Sequence, residues 1–228
     1  DSDSKQKKKK KSKASRSDED YVQSLNSRED RNKSWWDDFR ESVEQAEPEG
    51  TGKFLFLKLL LNETCEIGDK VLVFSQSLGV LDLIEEMLKI ASERGEGLKS
   101  SKGFYRPWRK GRDYYRLDGS ISGNKRQNDI DAFNDTKKAR LFLISTRAGS
   151  LGINLFSANR IVLMDASWNP SFDTQAIFRS YRLGQEKEVY VYRLLAHGTM
   201  EQKIYGRQIT KQALASRVVD SEETGRLF

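Results

Sequence analysis

The chain has 228 residues, 40 Lys plus Arg against 34 Asp plus Glu, and a net charge of +6. That length allows one large domain or a domain plus an arm, and the basic balance favours an anionic partner such as nucleic acid without identifying it. A single cysteine, Cys65, and a single histidine, His197, exclude an internal disulfide, a cysteine-cluster metal site and the usual zinc ligand sets, so no metal site is expected. No apolar run approaches the roughly 18 residues of a membrane span, and the basic N-terminus has no apolar signal core. The expectation is a soluble, intracellular protein without a membrane partner.

Residues 1–34 are poor in apolar side chains and rich in Lys, Ser and Asp. Such a segment buries too little surface to offset its chain entropy, which predicts a disordered basic arm. Its run from Lys7 to Lys11 suits a DNA contact, a nuclear address or a solvated spacer. The folded lobe is expected over 35–228, with Trp35, Trp36 and Phe39 anchoring the arm to it. Gly52-Lys53 imitates the end of a phosphate-binding loop, but Glu47 stands where the first glycine belongs and Phe54 where a Ser or Thr would meet magnesium.

From there strands and helices alternate. The pattern predicts helices over 54–66, 80–94, 124–133, 171–183 and 199–215, the last with Thr199 as N-cap. It predicts strands over 70–74, 114–117, 141–144, 160–164 and 189–195, a compact helical turn over 148–155, and a polar insertion loop over 93–112 carrying Trp108. Cys65 reads as a packed thiol on the first helix. Near-continuously apolar strands separated by helices argue for an α/β fold, a parallel sheet covered on both faces. Ligands of such sheets bind beyond the C-terminal ends of the strands.

Polar clusters follow those strands. Ser145-Thr146-Arg147, ahead of Gly149 and Gly152, offers hydroxyls, backbone N–H groups and a helix N-terminus to a DNA phosphate; a plain strand-to-helix turn fits as well. Trp168 and Asn169, in a loop after an apolar strand, suit sugar or base packing and phosphate bonding, or simply pack the loop down. Ser75, Gln76 and the Asp118-Gly119-Ser120 turn are weaker candidates. Asp165 ends a strand as a metal-binding acid would, yet no second acid follows it, and no metal is assigned. In a helix stopped by Gly184, Gln175, Arg179 and Arg182 share one face, beside an apolar stripe of Ile177, Phe178 and Tyr181. Two guanidinium forks on a rigid helix suit phosphate oxygens; the same spacing fits a solvated polar face.

The run from Gln175 through Arg179, Arg182, Gly184 and Gln185 resembles the sixth helicase motif of the SWI2/SNF2 branch of superfamily 2. The runs 117–120, 145–155 and 165–170 stand upstream in the order of that family. The wording of Trp35-Trp36, 70–78, 113–120 and Thr210-Lys211-Gln212 is similar to the ATRX subfamily. The resemblance covers residues 35–228 and implies a helicase C-terminal, RecA-like lobe. It implies that Arg179 and Arg182 act as arginine fingers toward ATP, with Gln175 aligning them and Gly152 near the nucleotide. It implies DNA contacts by Ser75, Gln76, Asp118, Gly119, Ser120, Ser145, Thr146, Arg147, Trp168 and Asn169. ATP and Mg²⁺ would be bound mainly by an N-terminal RecA-like lobe that is missing here, so this fragment alone is expected to be inactive.

The implied parent protein is a nuclear, DNA-dependent ATPase that translocates double-stranded DNA in chromatin and nucleosomes. The competing readings are a non-enzymatic DNA-binding or adaptor module and a strand-separating helicase. The segment 189–228, with Lys203, Arg207, Lys211 and Arg217, is expected to brace the two lobes, or to be a surface amphipathic helix.

Overall fold

The computed structural model describes residues 51–99, 104–149 and 152–219. The chain divides into units 1–46 and 47–228, and the described residues belong to the second. The basic arm and the Trp35, Trp36 and Phe39 anchor lie outside them.

The described residues form seven strands and six helices. In chain order they are α1 (Gly52–Ile67), β1 (Val71–Ser75), α2 (Leu78–Glu93), β2 (Leu98–Lys99), β3 (Tyr105–Arg106), β4 (Tyr114–Leu117), α3 (Gly123–Asp135), β5 (Leu141–Ser145), α4 (Thr146–Gly149), β6 (Arg160–Leu163), α5 (Pro170–Ile177), β7 (Tyr190–Arg193) and α6 (Met200–Val219). Five strands form one parallel sheet in the order β4-β5-β1-β6-β7. Because all five run the same way, their C-terminal ends share one rim.

Alternation along each strand splits the core into two layers. Leu72, Phe74, Tyr115, Leu117, Phe142, Ile144 and Ile161 point to one face, where they meet Ile130 and Phe133 of α3 and Ala176 of α5. Val71, Val73, Tyr114, Leu141, Leu143 and Val162 point to the other, against Phe54, Leu57 and Leu61 of α1 and Leu81, Ile84, Met87 and Leu88 of α2. β1 and β5 are buried along their whole length, as a sheet covered on both faces requires. Cys65 is the packed thiol expected on α1, and burial pushes it up to about 12.

Three expected elements differ. The helix foreseen over 171–183 ends at Ile177, and residues 178–184 are turns and bends. Gly184, with φ +100°, lies in those turns rather than at a helix end. The apolar stripe divides accordingly: Ile177 packs on the core, while Phe178 and Tyr181 are exposed and lean on each other at 6.2 Å. The turn foreseen over 148–155 is the single turn α4, and residues 152–155 are irregular. The 93–112 segment contains a small antiparallel pair, β2 with β3, and Trp108 packs against the α1–α2 layer.

Lys53 holds the lobe together rather than a phosphate. Its Nζ donates to the Met164 carbonyl at 2.7 Å and pairs with the Glu201 carboxylate at 2.6 Å, which ties α1 to the start of α6. Thr199 Oγ1 accepts from Glu201 N at 3.3 Å, the expected cap of α6.

Candidate functional site

The polar clusters follow β4, β5, β1 and β6, four neighbouring strands, so they line one rim in that spatial order. At about 4.8 Å between strands the line is roughly 14 Å long, about four base-pair steps of duplex at 3.4 Å each. Within each cluster the structure separates side chains that serve the turn from those that face outward.

Ser75 is fully buried, and its Oγ donates to Asp165 Oδ2 at 2.5 Å. Gln76 is exposed, but its backbone N donates to both Asp165 oxygens at 3.1 Å and its amide to Asp165 and the Ala166 carbonyl. Asp165 therefore clamps the end of β1 to the end of β6, a structural use of the acid that superficially resembled a metal ligand.

Asp118 is buried, and its Oδ1 accepts from the Ser120 amide at 3.0 Å and hydroxyl at 2.5 Å, while Oδ2 accepts from Arg116 Nε at 2.9 Å. The Ser120 hydroxyl, with its amide and Arg116, holds the Asp118 carboxyl below the usual range against the opposing effect of burial. What this turn exposes is Gly119 and Ser120. Ser145 is likewise buried, its Oγ accepting from Ala148 N at 3.3 Å to start α4; Thr146 is half-buried and Arg147 exposed. Asn169 is exposed, caps α5 by accepting from Ser171 N at 3.1 Å, and stands beside Trp168, which is 50 % exposed. Sequence alone did not distinguish these buried turn-makers from the outward groups.

A Cβ on Gly149 would come within 3.0 Å of Phe74 and 3.3 Å of Ile144. That glycine is required by core packing rather than by the approach of a ligand. Gly152 is exposed with φ +73°, a left-handed conformation that glycine adopts without strain.

The arginines sit elsewhere. α5 leaves the rim at Asn169 and carries the chain back along the sheet. Leu155 N donates to the Arg179 carbonyl at 3.0 Å, and Ser180 Oγ donates to the Ala158 carbonyl, two residues before β6 begins. Gln185 Nε2 donates to the carbonyls of Phe156 at 2.9 Å and Ala158 at 2.6 Å. The arginine turn is thus stapled toward the N-terminal end of β6, away from the rim, and not just after a strand as the sequence suggested.

Gln175 and Arg182 are exposed, whereas Arg179 is 7 % exposed, so the three do not share a helix face. Burial, then the charge of Arg182, lowers the Arg179 guanidinium from its ordinary value; an arginine so shifted stays charged at neutral pH. Arg182 Nε donates to the Phe178 carbonyl at 3.1 Å, which leaves the terminal nitrogens of the fork for another acceptor. The segment from Ser145 to Leu155 starts at the rim and ends against Arg179. The two candidate regions are therefore joined by one short stretch of chain.

The family described as Helicase conserved C-terminal domain matches residues 52–184, which include both arginines and every rim cluster. The chain belongs to this family. A helicase C-terminal lobe of this kind is RecA-like, and the parallel five-stranded sheet between helices is that fold. The chain is 52 % identical over 199 residues to Transcriptional regulator ATRX of Homo sapiens, a match covering 85 % of this chain and 8 % of the relative. It is 47 % identical over 196 residues to Protein CHROMATIN REMODELING 20 of Arabidopsis thaliana, covering 85 % and 13 %. It thus spans about a tenth of the length of these curated relatives. The crystal structure of the C-terminal part of the Fun30 ATPase domain superposes with a TM-score of 0.60 at 34 % identity, over 75 % of this chain and 49 % of that one. The resemblance to the ATRX group and the SNF2 branch thus holds over most of the lobe.

Two polar devices of the helicase lobe were not legible beforehand. One is the Ser180–Gln185 staple. The other joins α6 to the β6–α5 loop: Gln208, 2 % exposed, donates to the Ser167 carbonyl and to Asp173 Oδ2 at 3.1 Å, and Lys211 Nζ donates to the Trp168 carbonyl at 3.1 Å. Among the described residues no group of three His, Cys, Asp or Glu could hold a metal ion, and no helix is long and apolar enough to cross a membrane.

Proposed function

We propose that this lobe is the second motor half of a nuclear, ATP-dependent double-stranded DNA translocase acting on chromatin. The observation that supports this reading best is that Ser145 ends a rim strand while Leu155, ten positions on, donates to the Arg179 carbonyl, both within one family-matched lobe. Duplex phosphates would lie along the rim, met by Gly119, Ser120, Thr146, Arg147, Trp168 and Asn169. Arg182 and Arg179 would both reach the γ-phosphate of an ATP bound by an N-terminal RecA-like lobe of the same protein, whose negative charge would offset their mutual repulsion, with Gly152 and Gln175 beside the nucleotide. Mg²⁺ would be held mainly by that lobe as well.

Phosphoryl transfer needs positioning and charge neutralisation more than covalent chemistry, and one well-placed arginine contributes about 10³–10⁵ in rate. Because the same segment touches both regions, a change at the nucleotide can reach the DNA, as a motor that opens and closes two lobes requires.

Duplex binding tests the rim. Titrating the chain onto fluorescent duplexes of unrelated sequence should give weak, sequence-independent affinity that falls steeply with salt, since the contacts are to phosphate. Arg147→Ala should lower the salt slope by about one contact, and deleting residues 5–16 should lower it further if the arm touches DNA. Sequence-selective binding with a flat salt response would overturn the reading.

A further inference from the structure

Trp168 is held from two sides. On the β1 side Asp165 ties the start of its loop to Ser75 and Gln76. On the other side three residues of α6 act together. Arg207 lies over the Trp168 ring at 6.0 Å, Lys211 donates to the Trp168 carbonyl, and Gln208 donates to the Ser167 carbonyl and to Asp173.

Gln208 is the unusual member. A buried primary amide is costly unless its hydrogen bonds are made, and glutamine is mostly a surface residue. Both of its acceptors belong to the stretch 167–173, the loop after β6 and the first turn of α5. Burying this amide therefore selects one register of α6 against that loop. Asp173 is also buried, and desolvation raises its carboxyl while the Gln208 bond opposes the rise. An amide and a carboxyl buried together at a helix crossing define geometry, where two apolar side chains would permit sliding. Lys53 and the Ala196 amide pin Glu201 at the other end of α6, which fixes where the helix begins.

We propose that Gln208 is a positioning residue for DNA engagement: through Ser167 and Asp173 it fixes the loop that presents Trp168 and Asn169 to the duplex, so α6 sets the geometry of the rim. This rests on the reading of Trp168 and Asn169 as duplex contacts. It gives α6 a role inside its own lobe, different from bracing one lobe against another.

The test uses the 228-residue chain labelled with 5-fluorotryptophan, with the Trp168 resonance assigned by Trp168→Phe. Fluorine spectra and duplex affinity by anisotropy are measured at one salt concentration, well below the melting temperature. Gln208→Ala should move or broaden the Trp168 resonance, leave that of Trp108 in place, and weaken duplex binding about fivefold, less than a full stacking contact is worth. Trp168→Ala should weaken binding about tenfold, and adding Gln208→Ala to it should cost clearly less than Gln208→Ala costs alone, because the Trp168 contact is already gone and only that of Asn169 is left to lose. Lys211→Ala, at an exposed position, should shift the same resonance and serves as the second probe if Gln208→Ala does not fold.

Losses that add in the double variant, or a Trp168 resonance unmoved by Gln208→Ala and Lys211→Ala alike, would overturn the positioning role. If the resonance moves as expected but Trp168→Ala and Asn169→Ala bind duplex normally, the latch exists and the duplex reading of the rim is what has failed.

Discussion

Replacing Arg179 and Arg182 one at a time separates what burial does from what chemistry does. Arg179 is 7 % exposed and Arg182 is exposed. Truncating Arg179 removes a buried guanidinium and its methylene stem, a loss of about 1–3 kcal/mol. A domain of this size moves about 2–4 °C in melting midpoint per kcal/mol, so Arg179→Ala should melt about 2–12 °C lower. Arg182→Ala should stay within about 0.5 kcal/mol of the parent, about 2 °C at most. In the longer protein each variant should lower DNA-stimulated kcat by at least about a hundredfold, the low side of an arginine-finger effect.

ATP affinity should fall far less, because the other lobe would supply most ground-state contacts. Lysine should rescue neither position, since an ammonium lacks the planar fork. Differential scanning fluorimetry of the chain and initial phosphate-release rates of the longer protein read the two effects apart. Equal melting shifts would refute the energetic asymmetry inferred from burial. Near-normal turnover in both variants, with a lowered midpoint, would make these arginines purely structural.

Gln185→Ala removes the donor to Phe156 and Ala158, so it should destabilise the chain by about 1–3 kcal/mol and lower kcat of the longer protein without a matching rise in the KM for ATP. Asp69 is buried, which raises its carboxyl, but hydrogen bonds from Lys187, Asn159 and Arg160 outweigh that and hold it below its ordinary value of 3.8. The native state thus keeps this carboxylate charged to lower pH than the unfolded chain does. Its stabilisation is complete above the unfolded value and is lost as pH falls through the folded one; denaturant melts from pH 6 to pH 2 should show a shallower acid limb for Asp69→Asn than for the parent. The chain by itself should not hydrolyse ATP, with or without duplex; robust DNA-stimulated turnover by residues 35–228 would contradict the half-motor account.

Local pattern carried most of the fold. Near-continuous apolar runs in 70–74, 114–117 and 141–144 identify strands buried on both faces, a signal that each short run carries by itself. The α5 boundary was not legible in the same way. No glycine or proline interrupts 175–183, so propensity extends the helix, yet tertiary bonds from Ser180 and Gln185 to the 156–158 loop draw the chain out of it. The same limit applies to the rim. Ser75 and Ser120 are alike as residues, but Ser75 is buried against a carboxylate 90 positions away, whereas Ser120 stays at the surface of its turn. The Gln208–Asp173 pair spans 35 positions. Polar pairs brought together by the fold leave no periodic trace in the sequence, whereas the motif spacing that pointed to the arginines and the rim did.

A lobe that completes a DNA-governed ATPase ties ATP hydrolysis to duplex DNA. The most direct measurement is ATP turnover by the longer protein with and without duplex, beside the same protein carrying Arg182→Ala. Turnover should be low without DNA, rise clearly with duplex, and lose that rise in the variant, while nucleotide binding persists. Turnover indifferent to duplex, or stimulated equally in the variant, would contradict it.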